Sequence, residues 1–352
     1  MADAIPLTRQ PQRTPLARRA AAHGDGSELA GAAAPRAQLT SLSCVIPCRN
    51  EASNLDILLP QLCELLPGLA GSWEIVLVDD GSTDDTGALL ADWAEVPGFR
   101  VIELSRNFGK EAALTAGLEA AAGEVVVMLD ADLQHPPSLI AEMVEQWRKG
   151  VDVVYAVRTE RSDEGLLKRM GTRLFYSMMN SFDRVKVPEG AGDFRLMDRA
   201  VVDAVLSLPE RNRFMKGLYA WIGFESVALP YAPPARVHGR SHFNLRRLVN
   251  LSLDGLTSFT TWPLRMVSVV GAIMALIGFG YGAYLVLSYL IDGNDVSGWT
   301  TIVVTLMCFF GMQMLFLGVI GEYVGRIFEE VKQRPVYIVK RKLGRGLRKR
   351  GQ

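Results

Sequence analysis

Hydrophobic residues follow two different spacings between residues 40 and 235. Short, almost entirely apolar runs are typical of strands buried on both faces of a sheet. They alternate with longer segments whose apolar residues recur every three or four positions, which predicts amphipathic helices. This alternation predicts an α/β domain with a mostly parallel sheet and helices on both faces. The predicted strands are LSCVIPC (42–48), WEIVLVDD (73–80), FRVIELS (99–105), EVVVMLDAD (124–132) and DVVYAVR (152–158).

Four segments between these strands have helical spacing. Gly123 follows an Ala-rich segment and is expected to end that helix. A pair of prolines opens the last segment and is expected to start it. The four predicted helices are EASNLDILLPQLCELL (51–66), DDTGALLADWAE (84–95), GKEAALTAGLEAAAG (109–123) and PPSLIAEMVEQWRKG (136–150).

The last third of the chain contains two long apolar runs. The run 262–291 has Arg265 as its only charged residue, and the run 299–320 has none. Because a membrane-spanning helix needs roughly 20 apolar residues, we expect two spans, at about 264–291 and 299–321, within a membrane segment 263–325. A helical hairpin buried in a soluble core is the alternative.

Charges around these runs predict their orientation. The connector DGNDVSG contains two acids and no base, whereas cationic residues precede the first run and follow the second. The positive-inside rule then places the α/β domain and both termini in the cytoplasm, against the inner membrane.

The remaining segments complete the predicted domain order. Residues 1–38 are rich in Ala, Pro, Arg, Gln and Gly and predict a disordered tail. The α/β domain is expected at 39–240. Residues 241–262 place arginines between apolar residues at helical spacing, which predicts an amphipathic helix on the membrane surface. The alternative is a helix packed only on the α/β domain. Residues 326–352 are expected to form a basic cytoplasmic tail.

Overall composition excludes some partners. Lys and Arg together number 38, equal to Asp and Glu together, so the chain lacks the excess positive charge of a nucleic-acid-binding protein. The four cysteines lack the spacing of a zinc site and are expected to be reduced thiols.

Two pairs of acids end predicted strands. Asp79 and Asp80 end one strand, and Asp130 and Asp132 end another. Ligands bind parallel α/β sheets beyond the carboxyl ends of their strands. Neither a dinucleotide-binding glycine fingerprint nor a P-loop is found there. Carboxylates cannot hold phosphates directly, but they can hold a divalent cation such as Mg²⁺ that does. A simple helix cap or turn is the alternative role for these acids.

Five motifs in one fixed order carry a resemblance to a known family. They resemble the family-2 glycosyltransferases with the GT-A fold. The later stretch RVHGRSHFNLRRLVNLSLDGLTSFTTWPLR (236–265), followed by two apolar runs, resembles the polyisoprenyl-phosphate branch, which includes bactoprenol glucosyltransferases and dolichyl-phosphate mannose synthase. The likeness covers about 40–338. The five motifs are VIPCRNE (45–51), VLVDDGSTDDT (76–86), RNFGKEAAL (106–114), LDADLQHPP (129–137) and GDFRLMDR (192–199).

The resemblance implies roles for individual residues of this chain. The nucleotide-sugar would be bound by Pro47, Arg49, Glu51, Asp79, Asp80, Lys110, Asp130 and Ala131, with Asp79 recognising the base. Mg²⁺ or Mn²⁺ would be bound by Asp130, Asp132 and Gln134. The implied catalytic residues are Asp193, Asp132 and Arg195. The acceptor phosphate would be bound by Arg236, Arg240, Ser241 and His242.

One departure from the branch is visible. His242 stands where a lysine is common, which leaves the phosphate-binding role of that position open. The Q-x-x-R-W motif of processive polysaccharide synthases is not found in the chain, which favours transfer of a single sugar.

The implied reaction is inverting transfer of glucose from UDP-glucose to a polyisoprenyl phosphate such as undecaprenyl phosphate. A phosphomonoester with a second pKa of about 6 is already mostly dianionic at pH 7, so Asp193 is either a general base or an orienting group. Alternatives are other donors (GlcNAc, galactose, aminoarabinose or GDP-mannose), a hydroxyl-bearing lipid acceptor, and a non-catalytic membrane scaffold. The branch also suggests a homo-oligomer such as a tetramer.

Overall fold

A computed structural model describes residues 36, 38–159, 191–211, 213–232, 262–292 and 298–348. The predicted disordered tail (1–38) and the predicted interfacial helix (241–262) lie almost entirely outside the described residues. The four predicted acceptor-phosphate residues, Arg236, Arg240, Ser241 and His242, also lie outside them.

The described residues form one mixed sheet with flanking helices. The strands are β1 (Ser41–Cys48), β2 (Ser72–Asp79), β3 (Phe99–Leu104), β4 (Val125–Met128), β5 (Val153–Arg158), β6 (Ala191–Asp198), β7 (Ser226–Tyr231) and β8 (Val339–Gly344). The helices are α1 (Ala52–Leu65), α2 (Thr86–Ala94), α3 (Lys110–Ala120), α4 (Leu139–Arg148), α5 (Arg199–Ser207), α6 (Met215–Trp221), α7 (Trp262–Asp292) and α8 (Trp299–Lys332).

The sheet has the strand order β7-β5-β6-β4-β1-β2-β3-β8. Its centre, β4-β1-β2-β3, is parallel, as the sequence predicts. Strand β6 lies antiparallel between β4 and β5, and β8 lies antiparallel to β3 at one edge. The reversal of β6 brings its first residues to the same edge of the sheet as the carboxyl end of β4.

Hydrophobic clusters cover both faces of the sheet, in agreement with the predicted α/β architecture. One cluster contains the buried leucines of α1 together with Trp147 of α4. The other contains the buried face of α3 and the valines of α5. Burial of one large apolar side chain stabilises a fold by about 1.5–3 kcal/mol, so these two layers hold the strand ends in place.

Three predicted element boundaries are wrong. Strand β4 ends at Met128, so Asp130 and Asp132 lie in the turn after it and not in the strand. Helix α3 ends at Ala120, before Gly123. A Cβ atom at Gly123 would lie 2.6 Å from the backbone nitrogen of Ser43, so the glycine allows the two chain segments to pack closely. Helix α4 begins at Leu139, after the proline pair.

The C-terminal segment contributes a strand that the sequence pattern does not reveal. Although 326–352 reads as a basic tail, β8 pairs with β3 and Arg341 forms an ion pair with the buried Glu103. Beyond β8, the backbone N–H of Leu347 donates to Glu74 Oε2 at 2.8 Å. Edge strands commonly carry lysine and arginine, which hides their strand character.

We predict that ending the chain after Arg334 lowers the stability of the catalytic domain by several kcal/mol. The truncation removes β8 from the edge of the sheet, and with it the Arg341 partner of Glu103. It also removes the backbone N–H of Leu347, one of the donors to the buried carboxylate of Glu74, and a hydrogen bond to a buried charged group contributes roughly 1.5–3 kcal/mol. Thermal unfolding of the purified proteins measures the loss. A chain ending after Arg348 is the control, and equal midpoints for the two truncations would show that β8 does not stabilise the sheet.

Helices α7 and α8 have the length and composition of membrane spans, with candidate segments Met266–Ser288 and Thr305–Lys332. Neither segment is buried within the protein. Side chains such as Leu276 and Phe279 are 75% and 79% exposed, which contradicts the alternative of a hairpin buried in a soluble core. The exposed apolar surface suits contact with lipid.

The two long helices contact each other through small residues. A Cβ atom at Gly271 would lie 3.7 Å from Phe316, and one at Gly278 would lie 3.6 Å from Phe309. Small residues opposite large ones are the usual packing of helices in a bilayer, because they let the backbones approach closely.

Candidate active site

Polar side chains gather at the carboxyl edge of the parallel strands. The turn after β4 carries Asp130 and Asp132, and the start of β6 carries Asp193. The register pairs Met128 with Arg195, so the antiparallel ladder, extended by two residues, brings Asp193 beside Asp130. The topology thus joins two motifs that are more than sixty residues apart in the sequence.

A single lysine connects these two aspartates. Lys110 Nζ lies 2.6 Å from Asp130 Oδ1 and 2.6 Å from Asp193 Oδ2. Lys110 is the first residue of α3, so one ammonium group links the beginning of a helix to the turn after β4 and to the start of β6. Lys110, Asp130 and Asp193, all predicted to form the site, are therefore in direct contact.

Asp80 holds the loop that presents Lys110. Its two carboxylate oxygens accept hydrogen bonds from the backbone N–H groups of Phe108 (2.7 Å) and Gly109 (2.9 Å). Gly109 has a φ of 100°, which an L side chain rarely adopts. The sequence assigns Asp80 to nucleotide binding; in the structure its carboxylate positions the start of α3.

The loops after β1 and β2 are tied to each other. Asp79 Oδ1 accepts from both the backbone nitrogen (2.9 Å) and the hydroxyl (2.5 Å) of Ser82. Asn50 adopts a left-handed conformation, and its side-chain oxygen accepts from the backbone nitrogen of Thr83 at 2.8 Å. These bonds fix the edge of the sheet where the base of a nucleotide is predicted to bind.

The predicted base and ribose residues lie on these same loops. Pro47 is in β1 beside Val78, and Arg49 is exposed just beyond the strand. Glu51 accepts a hydrogen bond from Asn54 at 2.6 Å, and burial raises the pKa of its carboxyl group. No ligand role of these residues follows from the contacts alone.

Asp132 is oriented by its own turn. Leu133 has a φ of 59°, and this bend lets Gln134 donate to Asp132 from its backbone nitrogen (3.1 Å) and its side-chain amide (2.6 Å). The sequence predicts Gln134 as a metal ligand; in the structure its amide N–H holds the carboxylate of Asp132. Ala131, between the two aspartates, is buried.

The turn that carries Asp130 and Asp132 offers carboxylate oxygens to Mg²⁺ or Mn²⁺, but too few to bind the ion alone. Within the described residues, no three His, Cys, Asp or Glu side chains converge on a metal position. Asp130 and Asp132, one residue apart, provide two carboxylates, and Mg²⁺ is typically bound by one or two carboxylates together with substrate phosphate oxygens. These residues therefore suit a cation that arrives with a phosphorylated ligand.

Arg195 pairs with Met128 in the ladder between β4 and β6 and is 4% exposed. Its guanidinium lies 3.7 Å from the centre of the Tyr219 ring and donates to the backbone oxygen of Gly192 at 2.8 Å. The sequence leaves a surface ion pair with Asp193 or Asp198 as an alternative for Arg195. Its burial excludes a surface position, and the implied phosphate contact stays a prediction.

His135 packs between aromatic rings. Its ring centre lies 5.1 Å from that of Phe194 and 5.6 Å from that of Tyr231. Burial lowers the pKa of His135, which keeps the imidazole neutral at pH 7. This position fits a packing role behind the turn that carries Asp130 and Asp132.

Asp193 is an anion in this environment. Burial alone would raise its pKa, but the charges of Lys110 and Lys216 and the hydrogen bond from Lys110 outweigh burial and lower the pKa below its usual value. A carboxylate with a lowered pKa is a weak general base at pH 7. The second carboxylate oxygen, Oδ1, is buried and has no hydrogen-bond partner among the described residues.

Glu111 is a site residue that the sequence does not reveal. An acid in the first turn of a helix is ordinarily explained by the helix dipole. The position of Glu111 beside Lys110 therefore does not indicate a functional role in the sequence. Burial, followed by the charge of Asp193, raises the pKa of Glu111 to about 7. The carboxyl group therefore titrates near neutral pH.

We predict that Glu111→Gln makes the stability of the protein less sensitive to a rise in pH from acidic to neutral values. A carboxyl group whose pKa is raised on folding contributes stability below its unfolded pKa, and that stability is lost as the pH rises through about 7. Between pH 5 and 8 the wild-type protein should lose about 2 kcal/mol that the variant keeps. Thermal unfolding at several pH values, with the exposed Glu142→Gln as control, measures this, and parallel curves for wild type and Glu111→Gln would contradict it.

Fold and site together define a class of protein. A mixed α/β sheet with acids at the carboxyl edge of its parallel strands, followed by two exposed apolar helices, is the architecture of a GT-A glycosyltransferase with a C-terminal helical hairpin. Residues 43–206 match glycosyl transferase family 2, and residues 262–327 match the GtrB C-terminal hairpin.

Relatives extend this match over most of the chain. A bactoprenol glucosyl transferase of Shigella phage SfII is 42% identical over 302 residues, which is 85% of this chain and 97% of the relative. A prophage bactoprenol glucosyl transferase homolog of Escherichia coli K12 is 41% identical over 85% of this chain and 98% of its own length. An uncharacterized glycosyltransferase of Synechocystis is 44% identical over 85% of this chain and 94% of its own length. The chain belongs to glycosyltransferase family 2, and the resemblance drawn from its motifs is confirmed.

Proposed function

We propose that this glycosyltransferase moves a single glucose from UDP-glucose to a polyisoprenyl phosphate such as undecaprenyl phosphate, with inversion, at the cytoplasmic face of the inner membrane. The observation that carries the proposal is the meeting of Asp130 and Asp193 at Lys110, at the carboxyl edge of a sheet whose chain continues into two exposed apolar helices. The relatives named as bactoprenol glucosyl transferases support the choice of sugar and lipid.

Two sets of residues would bind different parts of the nucleotide-sugar donor. The tied loops carrying Asp79 and Asn50 form a rigid edge suited to a nucleotide base and ribose. The turn with Asp130 and Asp132 lies at the neighbouring strand, where the diphosphate would follow. A divalent cation, Mg²⁺ or Mn²⁺, held by these two carboxylates would neutralise the charge that develops on the nucleoside diphosphate as it leaves.

Asp193 is assigned to orientation of the acceptor, not to proton removal. Its pKa is lowered, so the group is anionic at pH 7 and is a weak base. A phosphomonoester acceptor is already mostly ionised at that pH and does not need a base. Asp193 instead holds Lys110 at 2.6 Å, and that ammonium can attract the acceptor or donor phosphate.

The two long helices would hold the catalytic domain close to the membrane. Helix α8 continues past its apolar part to Lys332, and the backbone nitrogen of Arg211 in the catalytic domain donates to Glu330 Oε1 at 3.0 Å. This hydrogen bond joins the catalytic domain to the end of α8. Cationic residues flanking both spans support a cytoplasmic catalytic domain, and a homo-oligomer stays a prediction from the family resemblance.

A panel of donors and acceptors tests the proposal. The purified full-length protein is incubated with UDP-glucose, UDP-GlcNAc, UDP-galactose or GDP-mannose, and with undecaprenyl phosphate or diacylglycerol, with and without EDTA. We expect transfer from UDP-glucose to the polyprenyl phosphate, lost in EDTA and restored by Mg²⁺ or Mn²⁺. Faster transfer to diacylglycerol would overturn the acceptor assignment, and full activity in EDTA would overturn the role of the metal.

A further inference from the structure

Lys110 occupies the position of a cation among the acids of the active site. Its Nζ lies 2.6 Å from one oxygen of Asp130 and 2.6 Å from one oxygen of Asp193. An ammonium group has three N–H donors and no acceptor, so two of its donors are used by these acids. Asp130 is also one of the two carboxylates suited to a divalent cation.

The backbone of Lys110 cannot move away easily. Asp80 binds the N–H groups of the two residues before it at 2.7 and 2.9 Å, and α3 follows directly. The butyl chain, by contrast, has several rotatable bonds. If Lys110 leaves Asp130, its side chain therefore moves while the loop before α3 stays in place.

Two cations compete for Asp130. A divalent cation bound to this carboxylate would lie close to the ammonium group of Lys110, and like charges at such a distance repel each other. A donor diphosphate relieves the repulsion, because it offers new acceptors to Lys110 and further oxygen ligands to the metal. Asp193 can keep its bond to Lys110 throughout.

We propose that Lys110 offsets part of the negative charge of Asp130 and Asp193 in the donor-free enzyme and keeps the divalent cation from binding tightly until the nucleotide-sugar arrives with it. Metal and donor then bind together, and the free metal alone binds weakly. This inference rests on the proposed role of Asp130 in metal binding and adds the order in which the ligands bind.

Mn²⁺ binding to the full-length protein, measured by electron paramagnetic resonance without any nucleotide, tests the competition. We expect Lys110→Met to bind free Mn²⁺ roughly tenfold more tightly than the wild type, since one charge-assisted contact is removed from Asp130. We expect Lys110→Arg, which keeps the charge, to resemble the wild type. The increase in Mn²⁺ affinity on adding UDP-glucose should be large in the wild type and small in Lys110→Met.

Arg106→Met is the matched control for loss of a positive charge from the same loop. Arg106 donates to the backbone oxygen of Asn107 and lies over the Phe108 ring. Equal tightening of Mn²⁺ binding in Arg106→Met and Lys110→Met would overturn the inference, because general electrostatics would then explain both.

Other outcomes separate this inference from the proposed function. If the wild type binds Mn²⁺ with UDP-glucose but Lys110→Met binds free Mn²⁺ no more tightly than the wild type does, the inference about Lys110 is overturned while the proposed function stands. If neither protein binds Mn²⁺ in the presence of UDP-glucose, the role of Asp130 in metal binding fails, and the inference fails with it.

Discussion

Asp132→Ala is expected to reduce sugar transfer at least about a hundredfold while the protein stays folded in the membrane. The carboxylate is held by two hydrogen bonds from Gln134, and charge stabilisation by a bound metal contributes several kcal/mol to catalysis. A hundredfold loss corresponds to about 2.7 kcal/mol of transition-state stabilisation. Initial rates at saturating donor and acceptor measure the effect.

The control is Asp92→Ala, which removes an exposed carboxylate from α2. Its rate should equal that of the wild type. If Asp132→Ala retains more than about a tenth of the wild-type rate, the metal-binding role of this turn is wrong. Asp130→Ala should show a loss similar to that of Asp132→Ala, with the additional release of Lys110 from one of its two partners.

Asp193→Asn is expected to lower kcat by about a hundredfold without changing the shape of the pH–rate profile. The substitution keeps the size of the side chain and removes the charge that holds Lys110 and faces Arg195. In the variant the partly exposed ammonium of Lys110 keeps Asp130 as a partner but loses the 2.6 Å contact with Asp193, so Lys110 should no longer be held between the two acids. Measurement of kcat between pH 6 and 9 separates the two roles considered for Asp193.

A general base would behave differently. If Asp193 removed a proton in the reaction, the wild-type profile would contain an acidic limb that disappears in Asp193→Asn. That result would contradict the orienting role. Asp198→Asn at the far end of β6 is the control for general damage to this strand, because Asp198 caps α5 and accepts from Trp147 instead of reaching the site.

Much of the fold follows from the hydrophobic pattern. The strands β1 to β5 and the first four helices were predictable because the period of their apolar residues is unambiguous. Strand β8 was not, since its residues are mainly basic and its pairing with β3 depends on tertiary contacts such as Arg341 with Glu103. The antiparallel direction of β6 depends on its pairing with β4 and β5, which leaves no local signal in the sequence.

The candidate site also contains residues that the sequence identifies and contacts that it does not. Asp130 and Asp132 could be identified because acids rarely end an apolar run without a functional reason. The contact between Lys110 and Asp193 could not, because the two residues are 83 positions apart and meet only through the register of β6. Asp80 and Gln134 show what the structure adds: their hydrogen bonds to the backbone before α3 and to Asp132 leave no signal in the sequence motifs, and their predicted ligand roles stay predictions.

The central claim is that this family-2 glycosyltransferase places one glucose on a lipid phosphate. The most direct test is the reaction of radiolabelled UDP-glucose with undecaprenyl phosphate in liposomes that contain the full-length protein. We expect a labelled, acid-labile lipid that carries one glucose per phosphate and that Asp132→Ala forms at least about a hundredfold more slowly. Label that stays in water-soluble products, or a lipid that carries a chain of several sugars, would contradict it.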